Sequence, residues 1–241
     1  YNAQLDNSTF EPSSSTEMSK LMYQRIQKLP SITLNTTFSN NLFNDLQGLL
    51  EVPEITFLKT ITNVGGMFYN CKSLTEIPVF DTSSVTNFNA FAQGCDSLTT
   101  VPALDYSKGT NFYNAFKGCK SLTAVPELDL SSATDVTSIF DTCTKLTTIP
   151  EFNLSSVTNA ISMFSGCSSL TAVSELNLSS ATNVNSMFSA CGSLTAVSNL
   201  DLSSVTDASQ MFYNCSSLTT LSNINNSSLE ITSFMFAYCK K

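Results

Sequence analysis

The 241-residue chain carries 11 Lys and Arg against 19 Asp and Glu, for a formal net charge of −8, and only 12% of its residues are charged. No basic stripe offsets that balance, which excludes a nucleic-acid-binding face, and no apolar run is long enough to span a bilayer. Without His or Trp a Ser-His or Cys-His nucleophilic pair is impossible, the commonest zinc ligand is missing, and no phosphate-cradling Gly loop or dinucleotide fingerprint occurs, so no catalytic residue, metal or cofactor is expected.

Residues 1–15 are polar and unpatterned and read as an arm or linker. Ser14 and Glu17 then form a capping box, and Met18, Leu21, Met22, Arg25 and Ile26 recur at helical spacing up to Pro30, which predicts an amphipathic capping helix over 16–28. Residues 29–70 hold two degenerate repeats: Leu29-Pro30-Ser31-Ile32 and Leu42-Phe43-Asn44-Asp45-Leu46 echo later units, with Leu46 in a slot that Cys holds elsewhere. Between Leu46 and Cys71 the spacing slips by one residue. No charged-then-apolar leader stands at Tyr1; since the sequence does not begin with Met, it is compatible with a mature or excised piece, and export stays open.

Residues 71–241 repeat every 24 residues, with Cys71, Cys95, Cys119, Cys143, Cys167, Cys191, Cys215 and Cys239 all in one slot. A unit this short cannot bury its own apolar face and is stable only when stacked on its copies, so the chain is expected to form one elongated domain. In the unit starting at Cys119, the inward slots are Leu122, Val125, Leu128, Leu130, Ala133, Val136, Ile139 and Phe140. The predicted fold is an α/β repeat solenoid, a right-handed stack with one parallel strand around Leu128-x-Leu130 and one short helix or turn per rung. Thr134 is placed to cap that turn, Asp135 sits at its start, and a slot often held by Gly (Gly94, Gly118, Gly166) ends it. Cysteines in one slot all point the same way, which favours a ladder of buried thiols over disulfides. Phe116, Phe140, Phe164, Phe188, Phe212 and Phe236 form a second column, from which Phe91-Ala92 departs by reversing the usual order. Pro78, Pro102, Pro126 and Pro150 share a slot that becomes Ser174, Ser198 and Ser222; proline cannot donate to a ladder, so pairing there is expected to be absent or irregular.

The recurring pattern Met-Phe-x-x-Cys-x-Ser-Leu-Thr-x-Val-Pro-x-Leu-Asp-Leu-Ser-Ser-x-Thr-Asn resembles the BspA-type leucine-rich repeat family of bacterial surface proteins, and similar arrays carried by bacteriophages, from about Leu29 to Cys239. The resemblance implies an extracellular protein on a bacterial cell surface or virion, used in adhesion or host recognition. One departure stands out: Ala133, Val157, Ala181 and Val205 occupy the slot that follows the strand, so an inner asparagine ladder should be absent.

The binding candidate is an acidic, amide-rich strip on the strands: Asp81, Asp105, Asp129, Asn153, Asn177 and Asp201, flanked by Glu127, Glu151 and Glu175. Either it is a solvated face in which Asn dilutes like-charge repulsion, or it binds a cationic protein patch, a glycan or Ca²⁺. A Ser-Leu-Thr column (Ser121 and Thr123, Ser169 and Thr171, Ser193 and Thr195) is either a turn with backbone-bonded hydroxyls or an ice-binding array. The expected function is non-enzymatic recognition of a host-surface protein or glycan. The alternative is an architectural spacer that contacts other subunits of a virion or cell-surface assembly.

Overall fold

The structure, a computed structural model, describes residues 27–29, 31–35, 37, 39–52, 54–173 and 175–240. The predicted arm and all but the last two residues of the predicted capping helix lie outside the described residues. At its far end Lys28 is not helical: it forms a parallel bridge to Glu51 and an ion pair with the same residue at 2.9 Å.

The described residues stack as a solenoid in which each rung has a strand side and a turn side. Five parallel strands are regular enough to name: β1 (Ile32–Leu34), β2 (Ile55–Phe57), β3 (Ala172–Val173), β4 (Ala196–Asp201) and β5 (Thr220–Asn225). β1 pairs with β2, and β3, β4 and β5 form a second sheet in that order. The 24-residue register is direct, Val173 facing Val197 and Val197 facing Leu221. Between the sheets only isolated bridges remain, such as Ala124 to Thr148 and Phe152 to Leu176. Proline is the reason. The six-residue strands β4 and β5 occur where the shared slot is Ser198 and Ser222, which face each other, whereas rungs with Pro102, Pro126 and Pro150 lack the donor a continuous ladder needs. The one-residue slip is taken up by the exposed bend at Leu58 and Lys59: β1 and β2 keep a 23-residue offset, and Leu46 holds the cysteine slot as a buried side chain.

On the turn side the segment takes the turn form of the expected helix or turn: no helix forms among the described residues, and tandem β-turns stand there. In the rung ending at Cys119, the N–H groups of Phe112, Asn114, Phe116 and Gly118 donate to carbonyls of the next rung at 2.7 to 2.9 Å. The intervening Ala115, Lys117 and Cys119 donate three residues back. Asn114 and Gly118 have φ of 57° and 74°, so turns 112–115 and 116–119 are of type II, with left-handed backbone at their third residue. A helix would direct every N–H along its own axis; here every second one is turned outward to tie rungs together. The Gly slot does end the segment, in the left-handed conformation, and Thr142, Ala190 and Asn214 adopt it too.

The core runs the length of the stack. Phe116, Phe140, Phe164, Phe188, Phe212 and Phe236 form a continuous column of stacked rings, with centroids 5.5 to 5.8 Å apart. Reversal of Phe91 and Ala92 turns one ring, so that Phe91 meets both Phe68 and Phe116 edge-on. The next rung carries Tyr106 where later ones have Leu130, Leu154, Leu178 and Leu202. Its buried hydroxyl donates to the Pro102 carbonyl at 2.8 Å, and its ring packs on the stacked pair Phe88 and Phe112.

All eight cysteines are free thiols, seven buried and Cys239 half-buried. Each donates to a carbonyl of the preceding rung, as Cys143 Sγ does to Phe116 O at 3.3 Å and Cys215 Sγ to Phe188 O at 3.0 Å. The Phe116 carbonyl also accepts the Cys119 N–H, so both of its lone pairs are used. Burial pushes the Cys95 and Cys215 thiols up to about 12, leaving almost no thiolate at neutral pH and hence little reactivity.

Candidate functional site

The strip begins with a local motif, Asp or Asn followed two residues later by Ser. In each rung the Oδ1 of the first residue accepts the backbone N–H of the second: Ser83 to Asp81 at 3.0 Å, Ser107 to Asp105 at 2.9 Å, Ser131 to Asp129 at 3.1 Å, Ser155 to Asn153 at 3.2 Å, Ser179 to Asn177 at 3.2 Å and Ser203 to Asp201 at 3.0 Å. The Ser83, Ser107, Ser131 and Ser155 hydroxyls donate to the same oxygen at 2.6 to 2.8 Å. These are Asx-turns that close the strand side of each rung. The serine hydroxyl and N–H favour the charged form, so Asp81, Asp105, Asp129 and Asp201 have their carboxyls held below the ordinary range. One oxygen of each residue is thereby committed to the fold, and the other atom of the carboxylate or amide is left for solvent or a partner.

The three glutamates have no such duty. Glu127, Glu151 and Glu175 are exposed and make no hydrogen bond or ion pair among the described residues. Their column is uncharged at both ends: Val79 and Ala103 precede it and Asn199 and Asn223 follow. Negative charge is therefore concentrated on the middle rungs, where Asp105 and Asp129 lie beside Glu127, Glu151 and Glu175. Rungs stack at about 4.8 Å, so the carboxylates run as a line of acceptors and do not converge on a point. No group of three or more His, Cys, Asp or Glu among the described residues is arranged to hold a metal ion. The strip suits a partner with spaced donors or positive charge.

In the Ser-Leu-Thr column the threonine hydroxyls are bonded to backbone, and the hydroxyls of Ser121, Ser169 and Ser193 are not bonded within the described residues. Thr147 Oγ1 donates to the Thr123 carbonyl at 3.1 Å, Thr195 to Thr171 at 3.0 Å and Thr219 to Thr195 at 3.2 Å. A second threonine ladder, Thr110, Thr134, Thr158, Thr182 and Thr206, braces the other flank of the strand side in the same way. These bonds account for the threonines of both columns without a ligand. Sequence reasoning missed the amide column Asn63, Asn87, Asn111, Asp135, Asn159, Asn183 and Asp207. It forms an unbroken run of parallel bridges, and each Oδ1 accepts the N–H two residues on, as Tyr113 to Asn111 at 3.0 Å. The signal was present, an Asn or Asp eight residues before every cysteine from Cys71 to Cys215. The asparagine ladder thus lies outside the core, where Ala133, Val157, Ala181 and Val205 are fully buried.

Solved structures similar to the chain include three leucine-rich proteins. A leucine-rich repeat protein from Bacteroides ovatus is 18% identical, with a TM-score of 0.42 over 88% of this chain and 63% of its own, so the chain spans less than two thirds of that protein. A leucine-rich repeat protein from T. pallidum is 21% identical, with a TM-score of 0.39 over 71% of this chain and 67% of its own. A leucine-rich cell surface protein from Faecalibacterium prausnitzii is 18% identical, with a TM-score of 0.28 over 82% of this chain and 83% of its own. No protein of curated function matches the sequence. A family profile matches residues 34–148 and again 134–241, so that its two copies together take in the whole regular array, and the chain belongs to the family described as Mycoplasma protein of unknown function, DUF285.

Proposed function

We propose that the chain is a non-enzymatic recognition module, displayed on a bacterial cell surface or virion, that binds a host-surface protein or glycan along its strand side. The observation that carries this reading is the acidic cluster Asp105, Glu127, Asp129, Glu151 and Glu175 on the middle rungs, which has no ion pair among the described residues. Like charges gathered on a rigid face cost stability, and the three glutamates return none of that cost through bonds within the fold. A cationic or donor-rich partner would use them, chiefly to steer association and fix register. The resemblance of the repeat to BspA-type surface proteins supports the same reading.

The test is charge neutralisation that spares the turns. Asp129→Asn retains the Oδ1 acceptor, as Asn153 does in the next rung, and Glu127→Gln, Glu151→Gln and Glu175→Gln touch no fold contact. Binding of the labelled protein to cultured host cells and to immobilised extracellular-matrix proteins should fall in the fourfold variant and weaken with added salt. Binding that ignores both changes removes the strip from consideration.

A second reading, an architectural spacer, has its own observation. The last described rung turns apolar side chains outward: Phe234 and Tyr238 are 68% and 69% exposed, with Ile231 beside them. An end contact within a larger assembly would cover such a surface.

A further inference from the structure

The turn side carries a dent that the 24-residue periodicity does not require. Gly65 and Gly66 stand where the next rung has Asn89 and Ala90 and the one after it Tyr113 and Asn114. Gly66 has φ of 62°, and any side chain there would collide with Asn41 Oδ1; a Cβ on Gly65 would lie 3.0 Å from Asn63 Oδ1. Two missing side chains open a concavity of about 380 Å³ across three rungs. Its wall is amide and aromatic, built from Asn40 and Asn41, then Asn63 and Tyr69, then Asn87 and Asn89, and none of its lining residues is charged.

Two of these amides are held in fixed orientation. Asn63 Oδ1 accepts the Gly65 N–H at 2.8 Å and Asn87 Oδ1 the Asn89 N–H at 2.9 Å. Each Nδ2 is therefore set as a donor, and neither has a partner among the described residues. The side chains of Asn40, Asn89 and Tyr69 likewise make no hydrogen bond among the described residues, so amide donors, amide acceptors and a phenol are free at one place.

We propose that this dent is a binding site for a neutral saccharide. With no cation in its lining, and a chain of net charge −8, it offers nothing to an anion; with no carboxylate, it offers little to a cation. Neighbouring hydroxyls of a sugar ring both donate and accept, which matches paired amides, while the apolar face of the ring can lie on Tyr69. Three rungs at about 4.8 Å span roughly 10 Å, room for a mono- or disaccharide and too short for an extended peptide. Donors locked by the fold lower the ordering cost of binding. The site is distinct from the acidic strip on the strand side, so the two proposals stand or fall separately.

The experiment is a nitrogen-proton correlation titration of the full chain with lactose, maltose, cellobiose and mannobiose, with glucuronic acid and glucosamine as charged counterparts. At least one neutral disaccharide is expected to give saturable shifts confined to the backbone amides of residues 40–44, 63–69 and 87–90, while the charged sugars give none there. Tyr69→Ala and Asn89→Ala, which break no described hydrogen bond, should each weaken binding about tenfold. Gly65→Asn fills the dent with the residue that the next rung carries and should abolish binding in a chain that still folds; if it unfolds the chain, Tyr69→Ala decides. Absence of saturable shifts with all four disaccharides, shifts elsewhere on the molecule, or undiminished binding by Tyr69→Ala overturns the proposal.

Discussion

At the scale of single residues, the strip is first a set of turn closures and only then a surface. Asp129 Oδ1 receives both the N–H and the hydroxyl of Ser131, a job that an amide does equally well at Asn153. Asp129→Asn should therefore change stability at neutral pH by less than about 0.5 kcal/mol, whereas Asp129→Ala, which leaves both donors to solvent, should cost about 1 kcal/mol. Their pH behaviour separates charge from geometry. The folded pKa of Asp129 lies below its unfolded value, so its contribution is present above about pH 4 and is lost as the pH falls through the folded value. Chemical denaturation at pH 7 and pH 3 should show the wild-type chain losing more stability than a variant with Asn at 81, 105, 129 and 201. Equal losses would mean that these carboxylates do not couple to folding. The column was plain in the sequence because it recurs every 24 residues. Its role lay in the residue two positions on, since Asx-x-Ser is a turn signature whether or not the oxygen is charged. The dent at Gly65 and Gly66 was not legible in the same way: periodicity shows what recurs, and a missing side chain becomes a site only when three rungs are brought together.

Among the elements of the regular array, the strand side followed from its residues only where the shared slot is not proline, and the turn side took the turn form of the expected helix or turn. Leu128-x-Leu130 marked the strand side and the change from Pro126 to Ser198 marked where its pairing would fail, but no strand forms at Leu128–Leu130 itself, where only the Ala124 bridge to Thr148 remains. On the turn side Val136, Ile139, Phe140 and Cys143 have helical spacing, yet type II turns of four residues repeat almost as often as a helical turn and bury the same slots. What separates the two is whether the N–H groups are satisfied within the segment or by a neighbour, and a stacked neighbour is invisible in one rung's sequence. The trace that remained was Asn and Gly at left-handed positions, such as Asn70, Gly94, Asn114 and Gly118. Because the rings on this side are shared between rungs, their worth depends on having neighbours above and below. Phe164 is fully buried between Phe140 and Phe188, while Phe236 has a ring on one side only and is 47% exposed. Phe164→Ala should cost about 3 to 5 kcal/mol and Phe236→Ala about 1 kcal/mol, read from denaturant midpoints at constant slope. Similar costs at the two positions would contradict a column whose stability is additive along the stack.

For the whole molecule, stability is expected to be the sum of rungs and their interfaces, and the register makes this testable by excision. Removing 144–167 joins Cys143 to Ser168, in the slot Thr144 held, and stacks Phe140 directly on Phe188. Both threonine ladders, the thiol ladder and the Asx columns then realign one rung further on. The shortened chain should fold cooperatively, with a lower midpoint and a denaturant slope reduced in proportion to the surface lost. Removing only residues 144–155, half a rung, sets strand residues against turn residues; the cross-rung donors at the junction then lose their acceptors, while rungs on either side keep their own pairing, and the chain should not fold as one unit. The full excision also separates the two functional readings. It deletes Glu151 and Asn153 and draws Glu127 and Glu175 together, so a partner gripping the middle of the strip in fixed register should bind far less well. A spacer contacting its assembly through the apolar end around Phe234 and Tyr238 would bind as before and merely sit one rung closer. Measuring cell or matrix binding of the excised protein beside its unfolding curve shows which of these a folded, shortened array does, and intact binding would move the function from the strip to the ends.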